Sequence, residues 1–254
     1  MNPLRSLPGT RQQAGVSLVS LMIGLLLGLM SVLAAVSLFR TQTQQARTSQ
    51  SMAKTLEAQT LSLQVAELEI QRAGFGLEDS DGHVAGTPNI DFVLLSASRP
   101  GSTQGSSAQS LSGTRQTISA TVSSGNAVLW RWRNPENGAY LCAGLIGYDG
   151  GLQALTDTAC TQSSDLASQA WPSTALRSIA ANTTRLSVDF KVQSGDCSPY
   201  GHSSASASLF VTLTVTPDVT ATDSPWNSTD SSQRENNRTT LEASSNFCLT
   251  GIRS

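Results

Sequence analysis

Between Val16 and Phe39 the chain carries no Asp, Glu, Lys, Arg or His. That uncharged run, VSLVSLMIGLLLGLMSVLAAVSLF, is about 24 residues long, against the roughly 20 that a helix needs to cross ~30 Å of hydrocarbon. Water would not tolerate such a helix in isolation, so the run predicts a membrane-spanning segment. Its flanks set an orientation. The preceding MNPLRSLPGTRQQAG holds Arg5 and Arg11, and Arg-bearing flanks stay cytoplasmic, which puts the remainder of the chain outside. Arg40 is a single opposing charge at the far end. A secretory signal has a shorter apolar core and a small-x-small cleavage site beyond it. Here AAVSLFR leads instead into more helix formers.

From Arg40 to Arg72 there is no proline and no glycine, and Gln, Ala, Leu, Glu and Lys dominate. Such residues propagate a helix, which the glycines of RAGFG, Gly74 and Gly76, should stop. One helix from Val16 to Ala73 would be ~87 Å long at ~1.5 Å per residue. Residues Thr41 to Ser51 are polar on all faces, whereas Ala53, Leu56, Thr60, Leu63 and Ile70 recur at helical spacings, with Leu61, Val65 and Leu68 beside them. This predicts an apolar stripe on the distal half, laid against a globular head, behind a solvated neck. Glu67 interrupts the stripe, and the heptads are too few for an independent coiled coil. Gly24 and Gly28 form a G-x-x-x-G in the apolar run, a spacing that lets two helix backbones approach closely.

After Gly76 the period changes to two. Ile90 to Leu95 reads as a short strand, and Ser96 to Gly113 as a Ser/Gly/Gln-rich loop. Gln116 to Val122 and Ala127 to Trp132 read as a hairpin around SSGN, with a further strand at Leu141 to Ile146. Leu186, Val188, Phe190 and Val192 alternate, as do Leu209, Val211, Leu213 and Val215, predicting half-buried antiparallel strands. Pro217 to Thr240 reads as a loop, and Thr239 to Ala243 with Phe247 to Ile252 closes the sheet. The expected fold is α+β: a long N-terminal helix packed on an antiparallel β-sheet head. Its segments are a leader (1–15), a membrane or filament-core helix (16–39), an amphipathic continuation (40–75) and the head (76–254). Roughly 200 residues beyond leader and membrane helix suffice for one core.

The N-terminal segment resembles that of type IV prepilins and pseudopilins, on Gly15 followed by Val16, Ser17, Leu18, Val19, Ser20, Leu21, Met22, Ile23 and Gly24. The resemblance implies that a prepilin peptidase cuts after Gly15, leaving Val16 as the mature N-terminus and a candidate for N-methylation. Family members usually place Phe at the first mature position and Glu at the fifth; here those positions are Val16 and Ser20. A buried carboxylate needs a partner, which in the family is thought to be a neighbour's N-terminal ammonium. Ser20 offers only a hydroxyl. That fits either a rare or terminal subunit that does without the ion pair, or drift in a minor subunit. LFVTLTV, then a variable loop, RTTL and the ending LTGIRS resemble the close of PilW-type minor pilins and J-type pseudopilins, and RAGFG after the helix also resembles these families.

Cys142, Cys160, Cys197 and Cys248 all lie in the part placed outside the cytoplasm. An even count in an oxidising compartment predicts two disulfides. Of three connectivities, Cys142–Cys160 and Cys197–Cys248 are expected, each joining neighbouring sheet segments across a loop. No C-x-x-C pair suggests metal. His83 and His202 sit in no catalytic frame. Asp79, Asp81 and Gly82 in EDSDGH are spaced like a calcium loop, and some pseudopilins bind calcium, but His83 stands at the next ligand position and no Glu follows at the required distance. No cofactor is therefore expected. Trp130 and Trp132 flank Arg131 so that both indoles share a strand face, either in the core or as an adhesive patch. The sequons at Asn182, Asn227 and Asn237 carry little meaning if, as the prepilin resemblance implies, the protein is bacterial. A net charge of −2 argues against a general nucleic-acid binder.

The expectation is a non-enzymatic minor pilin, taking part in priming or assembly of a type IV pilus with other minor and major pilins, the prepilin peptidase and the inner-membrane assembly platform. It would begin as a single-pass inner-membrane precursor with its head in the periplasm. The alternatives are a minor pseudopilin of a type II secretion system, and a membrane-tethered periplasmic enzyme or binding domain with an uncleaved anchor.

Overall fold

The computed structural model describes residues 17–78, 86–102, 108–179, 185–195, 208–217 and 242–253. Within them the chain is α+β, one long helix followed by antiparallel strands. It divides into two compact units, residues 1–50 and 51–254.

Helix α1 is unbroken from Leu18 to Ile70. Its first part is apolar to Phe39 apart from three serines, and every residue from Leu18 to Phe39 is exposed. This is the one helix long and apolar enough to cross a membrane among the described residues. In the second unit α1 packs on the head, but not with the expected stripe. The buried residues are Thr55, Ala58, Gln59, Ser62, Ala66 and Ile70, whereas Leu56 and Leu68 are 53% and 68% exposed. The inner face is mostly small or polar side chains, and Gln59 Nε2 donates to the Val215 carbonyl at 3.0 Å. Of the expected stripe, Ile70 is buried and Leu63 packs at the edge of the core. Turns over residues 71–76 end the helix, with Gly74 and Gly76 at φ 77° and 71°.

The strands form two sheets, not one. Seven strands are β1 (Phe92–Ser102), β2 (Ala108–Gln116), β4 (Ala127–Arg133), β5 (Tyr140–Tyr148), β6 (Gly151–Ala159), β7 (Ala170–Pro172) and β8 (Leu176–Ser178), ordered β7-β2-β1-β4-β5-β6-β8. The other sheet orders β11 (Ala243–Arg253), β10 (Ser208–Pro217), β9 (Leu186–Gly195) and β3 (Ser123–Gly125). β7 and β8 occupy opposite edges of the seven-stranded sheet, yet only residues 173–175 join them. The four steps from Pro172 to Leu176 span at most about 14 Å, so the sheet curls until its edges come near one another.

That curl gives the sheet two buried faces. Phe92, Leu94, Val128 and Trp130 face a core shared with Ile70 of α1 and with Phe190, Val211 and Leu213 of the smaller sheet. Val93, Leu95, Ala127 and Leu129 face a second core, inside the curl, with Leu166 and Trp171. Strands buried on both faces read as continuous apolar runs, which is why FVLL and AVLW show no alternation.

The Ser96–Gly113 stretch is a hairpin rather than a loop: β1 continues to Ser102 and pairs with β2 across a bulge between Ser96 and Arg99. Residues of its outer edge are polar because backbone pairing, not burial, holds them. The expected strand Gln116–Val122 ends at Gln116, and SSG of the expected turn is β3, paired with β9. Gly125 lies against the Leu95 carbonyl, too close for a Cβ. β9 and β10 form as expected, Leu186 opposite Pro217 through Gly195 opposite Ser208. β11 is one strand from Ala243 rather than two pieces; residues 218–241 lie outside the described residues.

Candidate functional site

The sequence directs attention first to α1. Gly15 and Val16, the expected cleavage and methylation positions, lie outside the described residues. Ser20, Gly24 and Gly28 are on the helix and exposed, and a Cβ at either glycine would meet nothing within 4 Å. With ~100° between successive residues, Ser17, Ser20, Gly24, Gly28, Ser31 and Ala35 fall on one side of the helix. The G-x-x-x-G spacing marks part of that side, and the serines complete it. Ser31 on that side turns its hydroxyl inward, donating to the Gly28 carbonyl at 2.8 Å, and Ser37 on the far side does the same to the Ala34 carbonyl at 2.9 Å. Satisfied within the helix, these groups do not oppose burial in hydrocarbon or between helices.

At the other end of α1, Arg72 bridges helix and head. It pairs with Glu69, reaches Asp157 Oδ2 at 3.0 Å and lies over the Trp132 ring at 5.1 Å. Trp132 Nε1 donates to Asp157 Oδ1 at 3.1 Å. Trp130 and Trp132 do share a face, Trp130 in the core and Trp132 packed partly buried against it. The two indoles are therefore not an adhesive patch. Arg131, on the opposite face, is 1% exposed and pairs with Asp91 Oδ1 at 2.9 Å.

Cys142 and Cys160 are bonded, as expected, across 18 residues. Cys248 is also disulfide-bonded; its expected partner Cys197 lies outside the described residues, as do Asp79, Asp81, Gly82, His83, His202, Asn182, Asn227 and Asn237.

One cleft of about 420 Å³ opens where β1 outruns β4, lined by Ala97, Arg99, Asn126, Tyr148, Asp149 and Ser187 among others. Asn126 builds its floor. Its Oδ1 accepts from Ser98 N at 2.7 Å, and its Nδ2 donates to the carbonyls of Ser98 (2.9 Å) and Gly147 (3.0 Å), so one side chain replaces the missing strand pairing. Asp149 and Gly150, at φ 51° and 73°, make the tight turn between β5 and β6. The sequence does not mark this cleft, because its lining comes from three stretches far apart in the chain, around Ser98, Asp149 and Ser187. Arg99, Asp149 and Ser187 are among its lining residues, and it brings no nucleophile against a base. Among the described residues no three His, Cys, Asp or Glu are grouped as a metal site.

No protein-family model, no curated protein and no solved structure matches this chain.

Proposed function

We propose that the chain is a minor pilin: a subunit processed after Gly15 by a prepilin peptidase and drawn by residues 16–39 into a type IV pilus or its priming complex. The observation that carries this reading is the stretch from Leu18 to Phe39, apolar, wholly exposed and free of polar side chains other than hydroxyls bonded to their own helix or exposed on it. Such a helix requires lipid or other helices around it. It is preceded by the Gly15–Val16 junction and is continuous with a segment that packs on a β-rich head. In this role the head stays outside while the helix exchanges lipid for the helices of other pilins, moved by the inner-membrane assembly platform. A minor pseudopilin would use the same parts.

Mass spectrometry of the N-terminus, in membranes from cells with and without prepilin peptidase, tests the reading. A chain starting at Val16 only when the peptidase is present supports it and reports any methyl group. An intact leader in both sinks it. The cleft at Asn126 favours, in that event, an anchored periplasmic binding domain.

A further inference from the structure

Arg131 is a charge in a place that ought to reject one. It lies on the face of β4 that carries Ala127 and Leu129 into the curled sheet, at the end where β4 stops, β5 begins and β6 finishes. An ion so placed costs several kcal/mol unless its hydrogen-bonding groups are matched. Asp91 matches one group. That group is Nη1, which also donates to the Gln162 carbonyl, while Nη2 donates to the Ser164 carbonyl. Nε has no partner among the described residues, so these acceptors carry the whole compensation.

Both carbonyls belong to one short segment, and that segment hangs from Cys160. It is curled by its own bonds: Ser164 N donates to the Thr161 carbonyl at 3.1 Å and Thr161 N to Ser164 Oγ at 3.0 Å. Curling turns the two carbonyls to the same side. Cys142 is the residue directly opposite Arg131 in the β4–β5 pairing, and directly opposite residues share a sheet face. The Cys142–Cys160 bond therefore ties the acceptor segment to the strand next to the arginine. Apart from it, the segment is held by the bonds from Cys160 N to the Tyr140 carbonyl at 3.1 Å and from Tyr140 Oη to Gln162 Oε1 at 3.3 Å, and just beyond it by the Arg115–Asp165 pair and the buried Leu166.

The geometry points to an oxidation-gated closure: the Cys142–Cys160 disulfide is the latch that holds residues 161–164 over Arg131, and without it this end of the curled sheet opens to hydrate the guanidinium. Closure forms one S–S bond between the two Sγ atoms. Two thiol protons leave, and two electrons pass to a disulfide-bearing thiol oxidant, whose own S–S bond becomes two thiols. The head thus completes its fold only in a compartment that supplies such an oxidant. Before that, Arg131 is solvated and the second core has an open end.

The test uses the full chain in detergent, with Cys142→Ser/Cys160→Ser in place of reductant so that the disulfide at Cys248 is untouched. Trypsin cuts after Arg131 only if this end opens; Lys191, on β9 of the other sheet, reports opening elsewhere. Loss of the latch is expected to speed cutting after Arg131 on the order of tenfold relative to cutting after Lys191, as a local opening does. Equal acceleration at both sites would make the bond a global staple, and unchanged protection of Arg131 would make it idle; either overturns the inference. A second measurement repeats the cysteine change in an Arg131→Met/Asp91→Asn background. With no charge to cover, removing the bond should lower Tm by less than it does in the parent. Equal losses would overturn the latch.

Discussion

Gly74 and Gly251 meet backbone to backbone, so closely that neither position has room for a Cβ: a side chain at Gly74 would overlap the Gly251 carbonyl, and one at Gly251 the Ala73 carbonyl. The exit of α1 is thereby docked on the last strand. Gly74 N also donates to the Arg131 carbonyl at 2.9 Å, Arg133 N to the Phe75 carbonyl at 2.8 Å, and Gly86 N to the Gly251 carbonyl at 2.7 Å. RAGFG and LTGIR, far apart in sequence, are two halves of one contact. Helix and sheet must therefore order together at this point.

Replacing either glycine by alanine should loosen that contact. At Gly74 the left-handed φ adds to the overlap, and the two together should cost about 2–4 kcal/mol. A thermal melt of the detergent-solubilised chain would read this as a lower Tm, while Gly151→Ala, where a Cβ meets nothing within 4 Å, should leave Tm nearly unchanged. Similar Tm values for the two variants would contradict the reading.

The Arg72–Asp157–Trp132 cluster is half in water, with Arg72 38% and Asp157 31% exposed. Solvent screening limits what such pairs contribute, so Asp157→Ala should lower stability by only about 1 kcal/mol. Its effect should be local. Hydrogen exchange in the last turn of α1 should quicken, with the β9–β10 ladder unaffected; quickening across both would show the cluster to be central to the whole head.

Asn126 is a stronger case, because its amide makes three bonds where a strand is missing. Asn126→Ala leaves Ser98 N and two carbonyls without those partners, and should cost about 2–4 kcal/mol. Asn126→Asp should be at least as harmful at neutral pH, since its carboxylate would face the Ser98 and Gly147 carbonyls, and should recover in part once that group is protonated. A Tm that does not respond to acid in the aspartate variant would refute this.

Much of this organisation is legible in the sequence, and the failures share a cause. The membrane-capable run, the glycine stop, the alternating β9 and β10 and the Cys142–Cys160 bond each follow from a local rule. The helix stripe does not, because Leu56 and Leu68 suggest a core face while the real one is Thr55, Ala58, Ser62 and Ala66. The buried face is set by which side of the helix meets the sheet, where Gln59 bonds the Val215 carbonyl, and hydropathy alone does not reveal that side. Ser96–Gly113 misleads in a similar way: backbone pairing holds β2 with little burial, and pairing is invisible to a hydropathy pattern. The buried Arg131 depends on carbonyls some thirty residues away, which no local window contains.

Asp189 supplies a pH prediction. Partial burial on β9 raises its carboxyl above the ordinary value, and nearby Lys191 only partly offsets that. A raised pKa in the fold means that the protonated form is favoured there. Its contribution to stability is therefore fully present below the unfolded carboxylate value of about 4 and is lost as pH rises through the folded pKa. Asp189→Asn, which cannot ionise, should melt higher than the parent at pH 7, and the difference should close as the pH falls below about 4. Thermal melts of both proteins from neutral to acid pH would check this, with a constant offset or an advantage for the parent at pH 7 as the contrary result.

The assembly role makes a prediction that is independent of head stability. Leucine at Gly24 or Gly28 meets no obstacle in the isolated chain, so membrane insertion and the melt of the head should stay at parental values. Between helices, the added side chain stands where two backbones would otherwise approach. If residues 16–39 pack among other pilin helices on the side that carries Ser20, Gly24, Gly28 and Ser31, Gly24→Leu should lower recovery of the chain in sheared filaments without lowering its amount in the membrane. Leu25→Ala, on a different side of the same turn, should leave filament recovery near parental. Equal recovery for Gly24→Leu and the parent would show that this side of the helix faces lipid or a loose neighbour, and that the close contact lies elsewhere.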